Sequence, residues 1–501
     1  MEKAIEVSQQ NLSLLSRSVN VPEYDRTRIT AGIVHVGVGG FHRAHQGYYT
    51  DGLLRMGQAS EWGICGICLL ERDKKMFDVL DSQDGLYTLV IKDPDLKERP
   101  SVLGAVVEYY LAPASPRKVI DKMADPSVKI ITLTITEGGY NFDAKDNHFK
   151  LDDPSVRWDL SHPDQPRTVF GYLTAALKKR KAAALPLTIQ SCDNIQQNGE
   201  VARRMLASYI GAAAPELLAW VESNVSFPNS MVDRITPVTT EADRAALEDA
   251  YGVRDRWPVV SEAFHQWVIE DDFKLGRPAW ELMGVQFVED VAPYEKMKIG
   301  LINGGHSLVG LTGFHKGYGY IDEVMGDPLF VEFLSRYMDT EVTPTLDAIA
   351  GIDLNEYKEQ VVRRFSNYLI KDSVYRIIQE SAAKIPKFIL PTIRTSLEKG
   401  GAIRGCVTVV ACWYQYLLSE LEAGRFDKVD DQMSSLLAER INAASASDPL
   451  EFLRTPSLFG DLAGAPRFTG AFLDILRRLQ QEGIVAAIRH ELAHPEAIGQ
   501  G

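Results

Sequence analysis

From residue 32 to residue 191 the chain alternates short apolar runs with amphipathic stretches. Gly32-Ile33-Val34-His35-Val36 is a β-rich run that breaks into Gly37-Val38-Gly39-Gly40 and then into a helical pattern over 43–56. Residues 62–70 and 128–136 are apolar or β-branched runs bounded by turn signals, as buried strands are. A helical stretch over 168–184 leads to a further strand at 186–191, closed by Cys192-Asp193-Asn194. Strands alternating with helices predict an α/β fold with a Rossmann-type, mostly parallel sheet and ligands at the strands' C-terminal ends. Beyond about residue 290 the strand signals thin out. Asp327 followed by Pro328 reads as an N-cap with proline at the first helical position, and 355–365, 372–383 and 427–441 keep helical spacing. The chain therefore divides into a Rossmann-type domain over 1–290 and a mainly α-helical domain over 291–501.

Composition narrows the partners. With 54 Lys and Arg against 68 Asp and Glu, the net charge is −14, and such a surface repels nucleic acid and anionic lipid. The longest apolar stretch, 406–418, is broken by Gln415 and falls short of the ~18 residues that a membrane span needs. No secretory signal pattern opens the chain. The five cysteines, Cys65, Cys68, Cys192, Cys406 and Cys412, are sparse and odd in number, which fits a reducing, cytoplasmic setting. Cys65 and Cys68 form a CxxC inside an apolar run. On a strand, positions three apart face opposite ways, so packed thiols are expected there and not a redox or zinc pair.

The glycine run supplies the first two positions of a dinucleotide fingerprint, one for a tight turn and one for close approach of a pyrophosphate at the next helix N-terminus. Its third position is His42 and not glycine. Gly37, Val38, Gly39, Gly40 and Phe41 are the candidate cofactor contacts. Glu71, closing the 62–70 strand, has a carboxylate suited to both ribose hydroxyls and hostile to a 2′-phosphate, which favours NAD. Arg72 beside it leaves NADP open.

Lys298-Ile299-Gly300-Leu301-Ile302-Asn303-Gly304-Gly305-His306 is the segment richest in chemistry. On an α-helix at ~100° per residue, Asn303 lies about 140° and His306 about 80° from Lys298. Oxidising an alcohol needs a base for the hydroxyl proton and donors for the developing oxyanion. A lysine and a carboxamide are suitable for those two tasks. His42 and His45, three apart after the glycines, could share a helix face for a metal. No third or fourth ligand is evident, so no metal is expected.

Several segments together resemble the polyol-specific long-chain dehydrogenase family. They are Val36 through Gln46, Thr134-Ile135-Thr136-Glu137-Gly138-Gly139-Tyr140, Ser191-Cys192-Asp193-Asn194, residues 227–235, Trp267-Val268-Ile269-Glu270-Asp271, and the Lys298, Asn303, His306 spacing. The resemblance implies a zinc-independent, NAD-dependent secondary-alcohol dehydrogenase that interconverts D-mannitol and D-fructose and acts as a monomer. By position it implies Lys298 as the general base, Asn194 and Asn303 as holders of the reactive oxygen, and His306 as an orienting group. It also implies polyol contacts at Asp233, Arg376 and Lys384, and a proton-path role for Glu295. Hexuronate reductases and arabinitol or sorbitol dehydrogenases of the same group are the alternative activities.

Overall fold

Six strands, β1 (Ala31–Val36), β2 (Gly63–Cys68), β3 (Val106–Leu111), β4 (Ile130–Leu133), β5 (Leu187–Ser191) and β6 (Val225–Ser226), form one parallel sheet in the order β3-β2-β1-β4-β5-β6. This computed structural model describes residues 4–95, 99–142, 148–494 and 496. Every residue of β1, β2, β4 and β5 is buried, which is why these strands read as continuous apolar runs rather than alternating ones. The strand order reverses between β1 and β4, so the crevice for a ligand lies beyond their C-terminal ends. Cys65 packs into the hydrophobic cluster on one face of β2, with Val34 and Ile131, and Cys68 into the cluster on the other, with Ile33 and Tyr49. Burial raises both thiols, Cys68 to about 12, so the two are separate packed groups.

The helix expected over 43–56 is two helices, α1 (Gly40–Ala44) and α2 (Gln46–Arg55), broken at His45, whose φ and ψ are −117° and −89°. The His45 ring lies on Phe41 at 4.8 Å and meets Tyr49 and Trp267 edge-on at 5.2 Å. Its Nε2 is 3.0 Å from the Gln266 carbonyl. These tertiary contacts override the local helical periodicity. His42 stacks on His35, with ring centroids 3.4 Å apart. Burial keeps His45 and His35 neutral, each lowered to about 3. The two histidines are therefore packing groups on a broken helix, not the one-faced pair that HxxH spacing suggests.

The chain divides into two units, 1–292 and 293–501. The second is helical. Asp327 caps the helix Pro328–Tyr337 by accepting the Leu329 N–H at 3.0 Å. The helix expected over 372–383 is instead Val374–Ile378 and Ser381–Phe388, parted at Glu380, which takes a left-handed φ of 53°. The apolar 406–418 run lies in the buried helix Arg404–Glu422. Among the described residues no helix is long and apolar enough to cross a membrane.

Glu341, 5% exposed, accepts the Gly405 and Cys406 N–H groups at 2.5 and 2.8 Å and so caps that long helix. Burial raises its carboxyl from 4.5 to about 7. A raised acid binds its proton more tightly folded than unfolded, so its contribution is full below pH 4.5 and is lost as pH rises through 7. Glu341→Gln is expected to flatten the decline in melting temperature between pH 5 and pH 8, about the range of that titration, measured by thermal denaturation.

Candidate active site

In the first unit, Gly37 adopts φ +98°, and a Cβ there would meet the Thr134 carbonyl oxygen at 2.0 Å. Only glycine serves at this turn. Its carbonyl is held by Thr134 Oγ1–H at 2.6 Å, with His35 Nε2 3.1 Å away. A Cβ on Gly39, by contrast, would meet no protein atom closer than 4.0 Å. The backbone there fronts a cavity of about 450 Å³ lined by Gly37, Val38, Gly39, Thr134 and Ile135, a cradle shaped for a group that approaches the main chain closely.

Glu71, the acid expected at the end of β2, lies beside this cavity and not in its wall. Arg72 and Asp73 line this cavity, whereas Glu71 lines an adjoining one of about 510 Å³. Asp73 was missed because it follows the strand by several residues. Its Oδ2 accepts the Leu70 N–H at 3.0 Å, which closes the turn after the strand and brings it back to the cavity.

Asn194, an exposed residue, follows Asp193 at the end of β5. Asp193 is buried and accepts the Ile135 and Thr136 N–H groups at 3.0 and 2.8 Å and the Tyr140 hydroxyl at 2.8 Å. It thereby holds Thr136 in a left-handed φ of 62° beside the cavity. Burial raises this carboxyl above its ordinary value against the pull of those donors. Asn198 donates to the Asp193 carbonyl at 2.9 Å and to the Ser230 carbonyl at 2.7 Å, and accepts the Ser230 N–H at 2.9 Å. Ser230 begins the strand Ser230–Asp233. One buried carboxamide thus braces the Asn194 turn against the strand that carries Asp233. Asp193 was visible only as part of the Ser191-Cys192-Asp193-Asn194 segment, and Asn198 carries no sequence signal beyond its residue type.

In the second unit, Glu295 and Lys298 are each 7% exposed and one turn apart on the helix Ala292–Lys298. The helix then widens to a π-helix over Ile299–Gly304 before resuming as Gly305–Lys316. In the i→i+5 pattern the turn is wider than in an α-helix, and residues five apart come closer to one face. Lys298 and Asn303 are five apart, so the widening narrows the separation of about 140° that α geometry gives between them. The widening has local causes. A Cβ on Gly304 would meet the Tyr337 hydroxyl oxygen at 2.2 Å, and that hydroxyl donates to the Gly300 carbonyl at 3.0 Å. His306 stacks on Phe365, centroids 3.9 Å apart.

Lys384 sits on the helix Ser381–Phe388, which packs against the π-turn. Burial and the nearby Arg376 cation lower its amine to about 8, and its Nζ donates to the Ile377 carbonyl at 2.9 Å. Arg376 is engaged by Asp372 through contacts of 2.5, 2.7 and 2.8 Å. Among the described residues, the one grouping of three metal-ligating side chains is Asp474, His490 and Glu491. Arg404 already ion-pairs with both of its carboxylates.

Residues 31–282 match the family model described as the mannitol dehydrogenase Rossmann domain, and 290–480 match the mannitol dehydrogenase C-terminal domain. A mannitol 2-dehydrogenase of Phaeosphaeria nodorum is 42% identical over 489 residues, covering 97% of this chain and 85% of that one. The solved Pseudomonas fluorescens mannitol 2-dehydrogenase, a ternary complex with NAD and D-mannitol, is 41% identical with a TM-score of 0.87, covering 98% of this chain and all (100%) of that one. A D-sorbitol dehydrogenase in substrate-free form is 35% identical with a TM-score of 0.88, covering 97% of this chain and 100% of that one.

Proposed function

The chain belongs to the mannitol dehydrogenase family, and from that premise we propose that it is an NAD-dependent oxidoreductase interconverting D-mannitol and D-fructose at C2. The observation that supports the reading is the π-turn between Asn303 and the buried Lys298, in a chain 41% identical to an enzyme solved with NAD and D-mannitol. Bound nicotinamide supplies the hydride acceptor. Gly37 and Gly39 let the main chain come close to the cofactor's phosphates, with Val38, Gly40 and Phe41 completing the turn ahead of the helix N-terminus. Glu71 and Asp73 supply the carboxylates that favour an unphosphorylated ribose.

Lys298 takes the hydroxyl proton and passes it toward Glu295, one turn away on the same helix. Asn194 and Asn303 hold the oxygen on which charge develops, and so do the work that a metal would otherwise do. His306, fixed by Phe365, orients the substrate, and Asp233, Arg376 and Lys384 contact the polyol chain. The pairing of Arg376 with Asp372 favours a neutral polyol over a hexuronate, whose carboxylate would need a free guanidinium. Sorbitol is the second substrate to try, given the likeness to a D-sorbitol dehydrogenase. We place the dinucleotide in the domain over 1–290 and the base in the domain over 291–501, in a cytoplasmic monomer whose cysteines are free and buried.

The test is NADH oxidation with D-fructose, run beside sorbose, fructuronate and NADPH. Rapid turnover of fructose with NADH is the expected result. Turnover of fructuronate alone would overturn the substrate assignment, and equal use of NADPH would overturn the role given to Glu71 and Asp73.

A further inference from the structure

The 450 Å³ cavity at the glycine turn and the 510 Å³ cavity that holds Glu71 share Leu69, Leu70, Ser155 and Arg167 in their walls. The Arg167 guanidinium lies over the Trp158 ring, 3.8 Å from its centroid. Trp158 is itself fixed. Its indole N–H donates to the Gln165 carbonyl at 3.0 Å, and its ring stacks on His162 at 3.7 Å. The main chain beneath Arg167 is equally constrained. Asp159, 1% exposed, accepts the N–H of Arg167 at 2.6 Å, the N–H of Thr168 at 2.9 Å and the Thr168 hydroxyl at 2.6 Å.

These contacts hold the Arg167 head group by one face, with Asp159 attracting it through space, and among the described residues no hydrogen bond or ion pair engages its donor edges. Among the described residues no carboxylate forms an ion pair with it, although 68 Asp and Glu are present in the chain. The acids in the same cavity wall are committed to backbone N–H groups: Asp73 to Leu70, and Asp153 to Ser155 and Val156. An arginine whose face is covered by an aromatic ring and whose edge donors are free suits bidentate recognition of a phosphate. It stands in the wall common to both cavities, one of which opens on the glycine turn.

We propose that Arg167, presented by Trp158 and Asp159, is a phosphate-binding residue of the cofactor cleft, directed at the pyrophosphate of the dinucleotide. This rests on the reading that the first unit binds NAD. The glycine turn lets the main chain approach the ligand without adding charge, and Arg167 adds a full positive charge beside that of Arg72 in the same wall.

The experiment compares ADP with adenosine as competitive inhibitors against NADH, in the wild type, Arg167→Gln and Arg167→Lys. In Arg167→Gln the inhibition constant for ADP is expected to rise about 10- to 100-fold, as for loss of a charge-assisted hydrogen bond, with that for adenosine nearly constant. Arg167→Lys should recover only a minor part of the loss, because an ammonium keeps the charge but neither stacks on Trp158 nor donates bidentately, and added salt should shrink the difference between variants. Equal weakening of ADP and adenosine would overturn the proposal in favour of stacking on the base, and an unchanged ADP constant would overturn it outright. Calorimetry of the wild type with NADH separates the two readings. If NADH does not bind, the dinucleotide reading itself fails. If NADH binds and ADP is indifferent to Arg167, only the present inference fails.

Discussion

Lys298→Ala is expected to lower kcat for fructose reduction by about 10²–10⁴-fold, the usual contribution of a positioned general acid–base group. NADH affinity should change little, because the cofactor turn lies in the other unit. Lys298 is 7% exposed, so truncation also leaves a void, and a fall in melting temperature alone would not identify a base. Two further measurements do. Lys298→Met refills the space without a titratable amine and should be as inactive as the alanine variant. Exogenous methylamine should restore part of the alanine variant's turnover and none of the methionine variant's. Near-normal turnover of Lys298→Ala at neutral pH would remove the assignment.

The two glycines of the cofactor turn should fail differently. Gly37→Ala places a Cβ 2.0 Å from the Thr134 carbonyl oxygen on a backbone at φ +98°. The left-handed conformation alone costs about 1–3 kcal/mol, and the collision requires β1 and β4 to shift. Both melting temperature and NADH affinity should fall. At Gly39 a Cβ meets nothing closer than 4.0 Å, so Gly39→Ala should leave the melting temperature unchanged. It should nevertheless weaken NADH more than tenfold, because the methyl group would occupy the space a pyrophosphate needs. Calorimetric NADH titrations beside thermal melts decide this. If both variants keep wild-type affinity, the dinucleotide does not lie on this turn.

The parallel sheet was legible because strands buried on both faces write themselves as unbroken apolar runs, as in Ile64 through Leu70. Asp327-Pro328 marked a helix start for an equally local reason, a side chain that caps and a ring that cannot donate. The features missed are the ones set at long range. The break at His45 is imposed by Phe41, Tyr49 and Trp267, the last of them more than two hundred residues away in sequence. The acid that meets the glycine-turn cavity is Asp73 and not Glu71, because the chain turns after β2 through a side chain-to-backbone bond that no propensity records. Lys298, Asn303 and His306 could be picked out by chemical type, but a wheel drawn with 3.6 residues per turn misplaces Asn303. Gly300, Gly304 and Gly305, crowded into one helix, were the visible trace of that irregularity.

The π-turn amounts to one surplus residue in an otherwise regular helix, and so it works as a phase shifter. The stretch before it is timed to bury Tyr294 and Met297, and the stretch after it to bury Leu308 and Leu311. Without the surplus residue the two timings would be out of step by about 100°. Deleting one position between Lys298 and Asn303 would give a straighter and locally more comfortable helix. The same deletion would leave the amine and the carboxamide four apart, still on one face, but would unseat one of the two buried stripes. The irregularity therefore lets two rigid packing patterns coexist on one rod while the reactive groups stay lined up at the seam.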